Sequence, residues 1–380
     1  MLLAGAPAGK SEPVTGPAPT VGVEEELFVV DADTGRLRGD ARAIVASAEH
    51  RDEDTIDREL SRAQVETGSA VCATLAEVRA SLTSLRRRLD VAARAHGARV
   101  LATGTHPSSP WQDAGGVTPH AAYLQLADDY GLLTDEQVVS GCHVHVGVPD
   151  PEMAIQVMNR VRLDVPILLA LSGNSPFWAG VDTRYASYRT EVFHRWPTAG
   201  LPEPFASRAE YDGLVSLLQA TSAIDAPARL YWDVRPSARY PTLEFRVADV
   251  PVTVGESVTL AGLCRALVVT AEAAVRAGEP APVPRPEVLR AALWRAARFG
   301  LSGELVDLAA AQARPAPLVV EDLLRRLRPA LEGLGDAPDV EAGVACLLEH
   351  GTGAERQRRA HARRDRLEDV VDVLVETTVP

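Results

Sequence analysis

The chain has 380 residues and a formal net charge of −13. That length can bury a large core, as one big domain or two smaller ones, and the apolar content is ordinary for a soluble globular protein. The acidic balance argues against nucleic acid as a general partner, because phosphate binding needs a positive surface or a clear basic stripe.

Residues 1–19 are rich in Ala, Pro and Gly and lack a long apolar stretch. A flexible arm is expected there, with no signal peptide. No segment reaches about 18 uninterrupted apolar residues, so no membrane span is expected. Cys72, Cys142, Cys264 and Cys346 are widely spaced and form no C-x-x-C pair. That pattern suits a reducing cytosol, each thiol acting as a small buried apolar group. Cys142 lies beside His143, and strand alternation aims its side chain to the opposite face.

Residues 21–30 (VGVEEELFVV) read as a strand ended by a turn at 31–35. The stretch 54–69 carries a second acidic cluster, Glu59 and Glu66. Residues 74–96 form a strongly amphipathic helix, with Leu75, Val78, Leu82, Leu85 and Leu89 at helical spacing, Thr74 as cap and Gly97 as stop. A short buried strand follows at 99–104. Thr118-Pro119 opens a helix with proline at its first position, running to Asp129. Residues 137–148 (QVVSGCHVHVGV) read as a strand. Residues 151–171 read as an apolar helix kinked at Pro166. A Gly/Pro/aromatic loop spans 172–203, a helix 211–221, and a strand pair 231–236 with 242–249. A long Ala-rich helix covers 256–277 and a proline-rich crossing 278–286. Helices then dominate, at 287–299, 320–334, 340–349 and 354–375. The basic run at 356–366 reads as a solvated helix face. The class is α+β with a mixed or antiparallel sheet. No glycine-rich nucleotide fingerprint of the Rossmann or P-loop kind is present.

Successive side chains on a strand alternate faces. Glu24 and Glu26 therefore point one way, as do His143 and His145, and as do Glu244 and Arg246. Leu243, Phe245 and Val247 line the other side of the last strand. Two buried carboxylates side by side repel, and a cation would remove the conflict; an edge strand with one wet face is the alternative. Glu25 falls on the opposite face among Val23, Leu27 and Val29, where only an arginine from a packed helix would account for it. The H-x-H pair suits metal, or metal and phosphate, or two structural imidazoles. Gly141 and Gly147 leave space beside it for a ligand or a close backbone approach. Glu244 with Arg246, preceded by Arg235, is either an internal ion pair or a metal-and-phosphate arrangement. Arg184, Tyr185 and Arg189 suit an anionic small molecule, or are a solvated surface loop. Carboxylates outnumber imidazoles, which favours Mg²⁺ or Mn²⁺ over Zn²⁺. No nucleophile motif for covalent catalysis appears.

The chain resembles the glutamate–cysteine ligase type 2 family, in particular its branch of carboxylate–amine ligases. The resemblance runs from about Thr20 to the C-terminus. It rests on VGVEEELF, QVETGS, GTHP, GCHVHVGV, DTRYASYR, YWDVRPS followed by TLEFRVAD, and the late GTGAERQR, in that order. The family belongs to the glutamine synthetase superfamily. That implies one catalytic domain over 20–380, with an antiparallel sheet shaped as an open funnel, helices on its outer face, and a helical C-terminal part.

By the same resemblance, Glu24, Glu26, Glu66, Glu244 and His143 are metal ligands, with Glu59 less firmly matched. His145 faces the transferring phosphate, Arg246 and Arg235 contact phosphate, and Arg184, Tyr185 and Arg189 lie on the substrate side. The implied cofactors are ATP and Mg²⁺ (or Mn²⁺). The implied partners are a small-molecule carboxylate and an amine, with no nucleic acid and no membrane, in a cytoplasmic enzyme that family expectation makes a homodimer. The implied reaction phosphorylates a carboxylate, a poor acyl donor, to an acyl phosphate that an amine then converts to an amide. A guanidino-type phosphotransferase on the same fold, a zinc hydrolase built on the H-x-H pair, and a non-catalytic binding relative are the competing readings.

Overall fold

Branched apolar residues alternate with glycine and acids at the start of residues 21–31, and the segment forms the long strand β1 (Val21–Asp31). The computed structural model describes residues 18–380, so the arm expected at the N-terminus lies almost wholly outside the described residues. Six further strands join β1: β2 (Thr55–Arg58), β3 (Gln64–Gly68), β4 (Ala98–Leu101), β5 (Gly141–Gly147), β6 (Val234–Pro236) and β7 (Thr242–Asp249). Their order is β2-β3-β1-β5-β7-β6, and β4 pairs with the far end of β1. Every pairing is antiparallel. The protein is thus a mixture of helices and an antiparallel sheet.

One face of the sheet is apolar. Val21, Val23, Leu27 and Val29 share a core cluster with Cys142, Val144, Val146, Leu243 and Phe245. Helices Leu75–Ala95, Pro151–Val161 and Val254–Arg276 cover it. Thr74 caps the first of these by accepting from the Glu77 amide, as the sequence predicts. Helix Val254–Arg276 is long and apolar enough to cross a membrane, and 72% of its most apolar window is buried within the protein.

Glu25 points into this apolar face, and the arginine expected for it exists. Arg86 of helix Leu75–Ala95 grips the carboxylate with Nε and Nη2 at 2.8 and 2.7 Å, and the Ser257 hydroxyl donates at 2.6 Å. Arg86 also donates to the carbonyls of Pro251, Val252 and Thr378. Both charged side chains are fully buried. A buried pair satisfied this completely survives, whereas removing one partner leaves an uncompensated charge.

Several elements differ from the expectation. The helix over 151–171 is not kinked but broken, into Pro151–Val161 and Val165–Ser172. A continuous helix would lose a hydrogen bond at Pro166 and crowd the carbonyl four residues back, so Pro166 starts a new helix instead. Helix Ala121–Tyr130 begins after Pro119, with His120 as cap, because Thr118 is held outside it by its amide bond to the Leu60 carbonyl. The loop over 172–203 contains a short ribbon and helix Tyr188–Phe193, which Ser187 caps. The last helix is two, Gly353–Arg364 and Leu367–Thr378, divided by Asp365 at φ 57°, a conformation that aspartate tolerates better than most residues. A second ribbon, Glu304–Asp307 with Gln312–Pro315, falls where no strand was expected. Arg356, Arg358 and Arg364 of the basic run pair with Glu256, Asp182 and Asp369.

Candidate active site

The other face of the sheet carries the charge. Strand register aligns it in rows. Glu24 on β1 stands opposite His143 on β5. His145 stands opposite Glu244 on β7, and Glu244 opposite Arg235 on β6. Glu26 stands opposite Glu66 on β3, and Glu66 opposite Asp57 on β2. Directly opposed residues on antiparallel strands share a face, so one surface gathers all of them. The alternation along β7 is interrupted. Cys142 pairs with Ala248 and Val144 with Phe245, so Arg246 and Val247 together oppose His143. This β-bulge pairs Ala248 with Cys142, leaves Val247 in the same core cluster as Leu243 and Phe245, and sets Arg246 at an irregular point of the strand.

The side chains interlock. His143 Nδ1 lies 3.2 Å from Glu24 Oε2, and its Nε2 3.7 Å from Glu26 Oε1. His145 Nε2 lies 3.5 Å from Glu24 Oε1, and its Nδ1 2.9 Å from the Thr242 hydroxyl. Glu26 accepts from the Gly141 amide at 2.5 Å. Arg235 donates Nε to Glu244 at 2.9 Å and also binds the Ala228 and Leu230 carbonyls. Arg246 donates to the same carboxylate. The Nε2 atoms of His143 and His145 and the Nε of Arg246 are buried without a hydrogen-bond partner.

Two triads could each hold a cation. Glu24, Glu66 and His143 offer ligand atoms within 4.8 Å of one another, and so do Glu24, His145 and Glu244. Glu24 is common to both. Carboxylate oxygens with one imidazole per triad suit a hard or borderline divalent ion. The electrostatics agree. Burial, then Glu59, Glu24 and Glu26, push the Glu66 carboxyl well above its ordinary range. Burial and Glu26 push Glu59 up to about 7. Burial opposes ionisation of Glu24, but hydrogen bonds and charge from His143 and His145 hold its carboxyl well below the usual range. Burial likewise opposes Glu244, and Arg246 and Arg235 overcome it and hold that carboxyl low. Burial and the Arg246 charge lower His143. One side of the cluster is thus balanced by arginines, while on the Glu59–Glu66 side burial and neighbouring acids outweigh the pull of Arg246.

Not every residue read from sequence reaches this cluster. Arg184 is exposed; its amide bonds Asp182 and its carbonyl accepts from Arg298. Tyr185 meets Trp294 and Arg298 of helix Pro286–Phe299. Arg189 is buried and donates to the Val247 and Arg246 carbonyls. It occupies the space that Gly141 appears in sequence to leave free: a Cβ on Gly141 would meet the guanidinium at 2.2 Å. At Gly147 a Cβ would meet Thr20 at 3.0 Å. Both glycines thus permit close packing by the protein itself, not ligand space.

Sequence reasoning passed over Asp57, Tyr123, Thr242 and Tyr240. Asp57 joins the acidic row, and its spacing of two from Glu59 was a usable signal. Tyr123 donates to Glu59 at 3.1 Å. Tyr240 sets its ring edge-on to His145 at 6.0 Å. Thr242 and Tyr240 carried no signal beyond adjacency to the TLEFR segment.

The sequence model of the family described as "Glutamate-cysteine ligase family 2" matches residues 20–373. A protein of Frankia alni named "Putative glutamate–cysteine ligase 2-2" is 46% identical over 374 residues, covering 94% of this chain and 97% of its own. One of Mycolicibacterium smegmatis named "Putative glutamate–cysteine ligase 2-3" is 42% identical over 362 residues, covering 95% and 98%. Among solved structures, glutamate–cysteine ligase of Francisella tularensis in complex with AMP superposes with a TM-score of 0.72 at 14% identity, covering 97% of this chain and 89% of that one.

Proposed function

Because the chain belongs to glutamate–cysteine ligase family 2, an ATP-dependent carboxylate–amine ligase family, we propose that it joins a glutamate-like carboxylate to an amine through an acyl phosphate. The observation that carries the reading is the pair of acid–imidazole triads sharing Glu24 on the charged face. Two buried imidazole nitrogens without partners and two carboxyls driven up by crowding fit residues that await divalent cations. We assign Glu24, Glu26, Glu66, His143 and Glu244 to Mg²⁺ (or Mn²⁺), with Glu59 beside them and His145 shared between an ion and the nucleotide. Bound magnesium would neutralise charge on the nucleotide's phosphate oxygens.

The chain's own groups have separable parts in this reading. Arg246, with its buried Nε unpartnered, meets a phosphoryl oxygen; such a donor in a dry site lowers the barrier by about 3–4 kcal/mol. Arg235 is already committed to Glu244 and two carbonyls. Its part is to hold Glu244 ionised and in place rather than to reach the nucleotide. Thr242 fixes the His145 ring through Nδ1, which leaves Nε2 facing the cluster. The open, charge-bearing face is our counterpart of the funnel expected of the superfamily, within one catalytic domain over 20–380. No feature of the site favours a phosphotransferase or a zinc hydrolase.

The test is release of ADP and phosphate by purified protein given Mg²⁺, ATP, glutamate and a panel of amines. An acid–amine pair that raises turnover supports the reading. If none does, and ATP fails to bind with Mg²⁺, it fails.

A further inference from the structure

At the edge of the charged face, outside both triads, stands an imidazole–carboxylate pair. His194 closes the short helix Tyr188–Phe193, and its Nε2 lies 3.0 Å from Asp233 Oδ1. Asp233 is 1% exposed, and its second carboxylate oxygen is buried without a partner. The His194 side chain is 26% exposed, and its Nδ1 makes no hydrogen bond among the described residues.

Asp233 is tied through its backbone to Arg246 on β7. The Asp233 carbonyl accepts from the Arg246 amide at 2.7 Å. Val234 beside it is in the core, so Asp233 shares the face of Arg235 two residues on. Five residues before His194, Arg189 donates to the Arg246 and Val247 carbonyls. A pair that only fastened the helix to the strand would have no use for an unpaired buried oxygen, which costs about 1–3 kcal/mol or more.

We propose that His194, oriented by Asp233, is the base that takes a proton from the incoming ammonium group; this rests on the ligase reading above. The need is chemical. An amine is protonated at neutral pH and has no lone pair for attack. One proton passes to His194. The nitrogen lone pair then forms the C–N bond to the acyl carbon, and the C–O bond to phosphate breaks. The second proton leaves with the phosphate as hydrogen phosphate, and His194 returns its own to water. The charged groups facing the ring are Asp233 from the strand side and Glu191 and Arg189 from its own helix. Burial disfavours the imidazolium, but Asp233 first and then Glu191 outweigh burial and Arg189, and His194 is raised above its ordinary value. Asp233 is a positioning residue.

The experiment compares wild type with His194→Gln, and with Asp233→Asn as the second variant, each in the full chain with Mg²⁺ and ATP. Three rates are read. The first is positional isotope exchange within γ-¹⁸O-labelled ATP in the presence of the acid alone, which reports the acyl phosphate. The second is amide formation across pH. The third is hydroxamate formation with hydroxylamine, which is largely uncharged at neutral pH. His194→Gln is expected to keep the exchange and the hydroxamate rate, to lose amide formation by about 100-fold or more, and to recover as pH rises and free amine accumulates. Asp233→Asn is expected to lose less, with the same pattern. Equal losses of amide, hydroxamate and exchange would make the pair structural and overturn the proposal, as would an unchanged amide rate. Wild-type protein that shows no exchange with any acid would overturn the ligase reading itself, and this inference with it.

Discussion

Strand β1 carries three consecutive glutamates, and two fates divide them. Glu25 faces the helices and is matched by one guanidinium and one hydroxyl with no oxygen left over. Glu24 and Glu26 face the other way, among His143, His145, Glu66 and Glu59, where acids outnumber bases. The same side chain, one residue apart, is fully paired on one face and crowded among acids on the other. What separates them is whether the protein itself completes the charge. It does so for Glu25, and in the proposed reading the acidic row is completed by divalent cations.

That contrast can be broken at either end. Arg86→Met should destabilise the protein by about 3–5 kcal/mol, because Glu25 stays buried with its charge unpaired. Chemical denaturation measures it, and a loss under about 1 kcal/mol would make the pair dispensable. Glu24→Gln should leave the melting temperature of the metal-free protein unchanged or higher, while turnover falls on the order of 10²–10³-fold. Normal turnover would remove the shared residue from the site. Mg²⁺ at about 100 times its dissociation constant should stabilise wild type by about 2.7 kcal/mol and Glu24→Gln hardly at all. Equal shifts in both would place the ion elsewhere.

The smallest effect is on pH. Glu59, pushed up to about 7 by burial and Glu26, holds its proton more tightly folded than unfolded. Its contribution is therefore present at low pH and is lost as pH rises towards 7. The melting temperature of metal-free protein should fall across that window, and Mg²⁺ should flatten the dependence. A rise instead would contradict the crowding.

Much of the contrast was legible in sequence, because alternation alone separates Glu24 and Glu26 from Glu25 and puts His143 with His145. The ordered motifs supplied what alternation cannot, namely that these distant strands are neighbours. Other features were hidden because they arise between segments. The β7 bulge changes a register that strict alternation cannot represent. Arg189 filling the Gly141 position looks, in sequence, like empty space. Arg235 reads as a free phosphate arginine until its carbonyl partners at Ala228 and Leu230 are seen. The His194–Asp233 pair joins residues 39 positions apart in segments that carry no repeating signal, so only the folded chain reveals it.

The arginine that neutralises Glu25 has one more attachment. Arg86 donates to the carbonyl of Thr378, 292 residues later, whose hydroxyl receives the Ala102 amide. A nascent chain can therefore assemble β1 and helix Leu75–Ala95 early, but their clasp stays unfinished until Thr378 has been made and docked. Helix Leu367–Thr378 acts as a latch on the Glu25–Arg86 pair, and its docking belongs among the non-local events that slow folding.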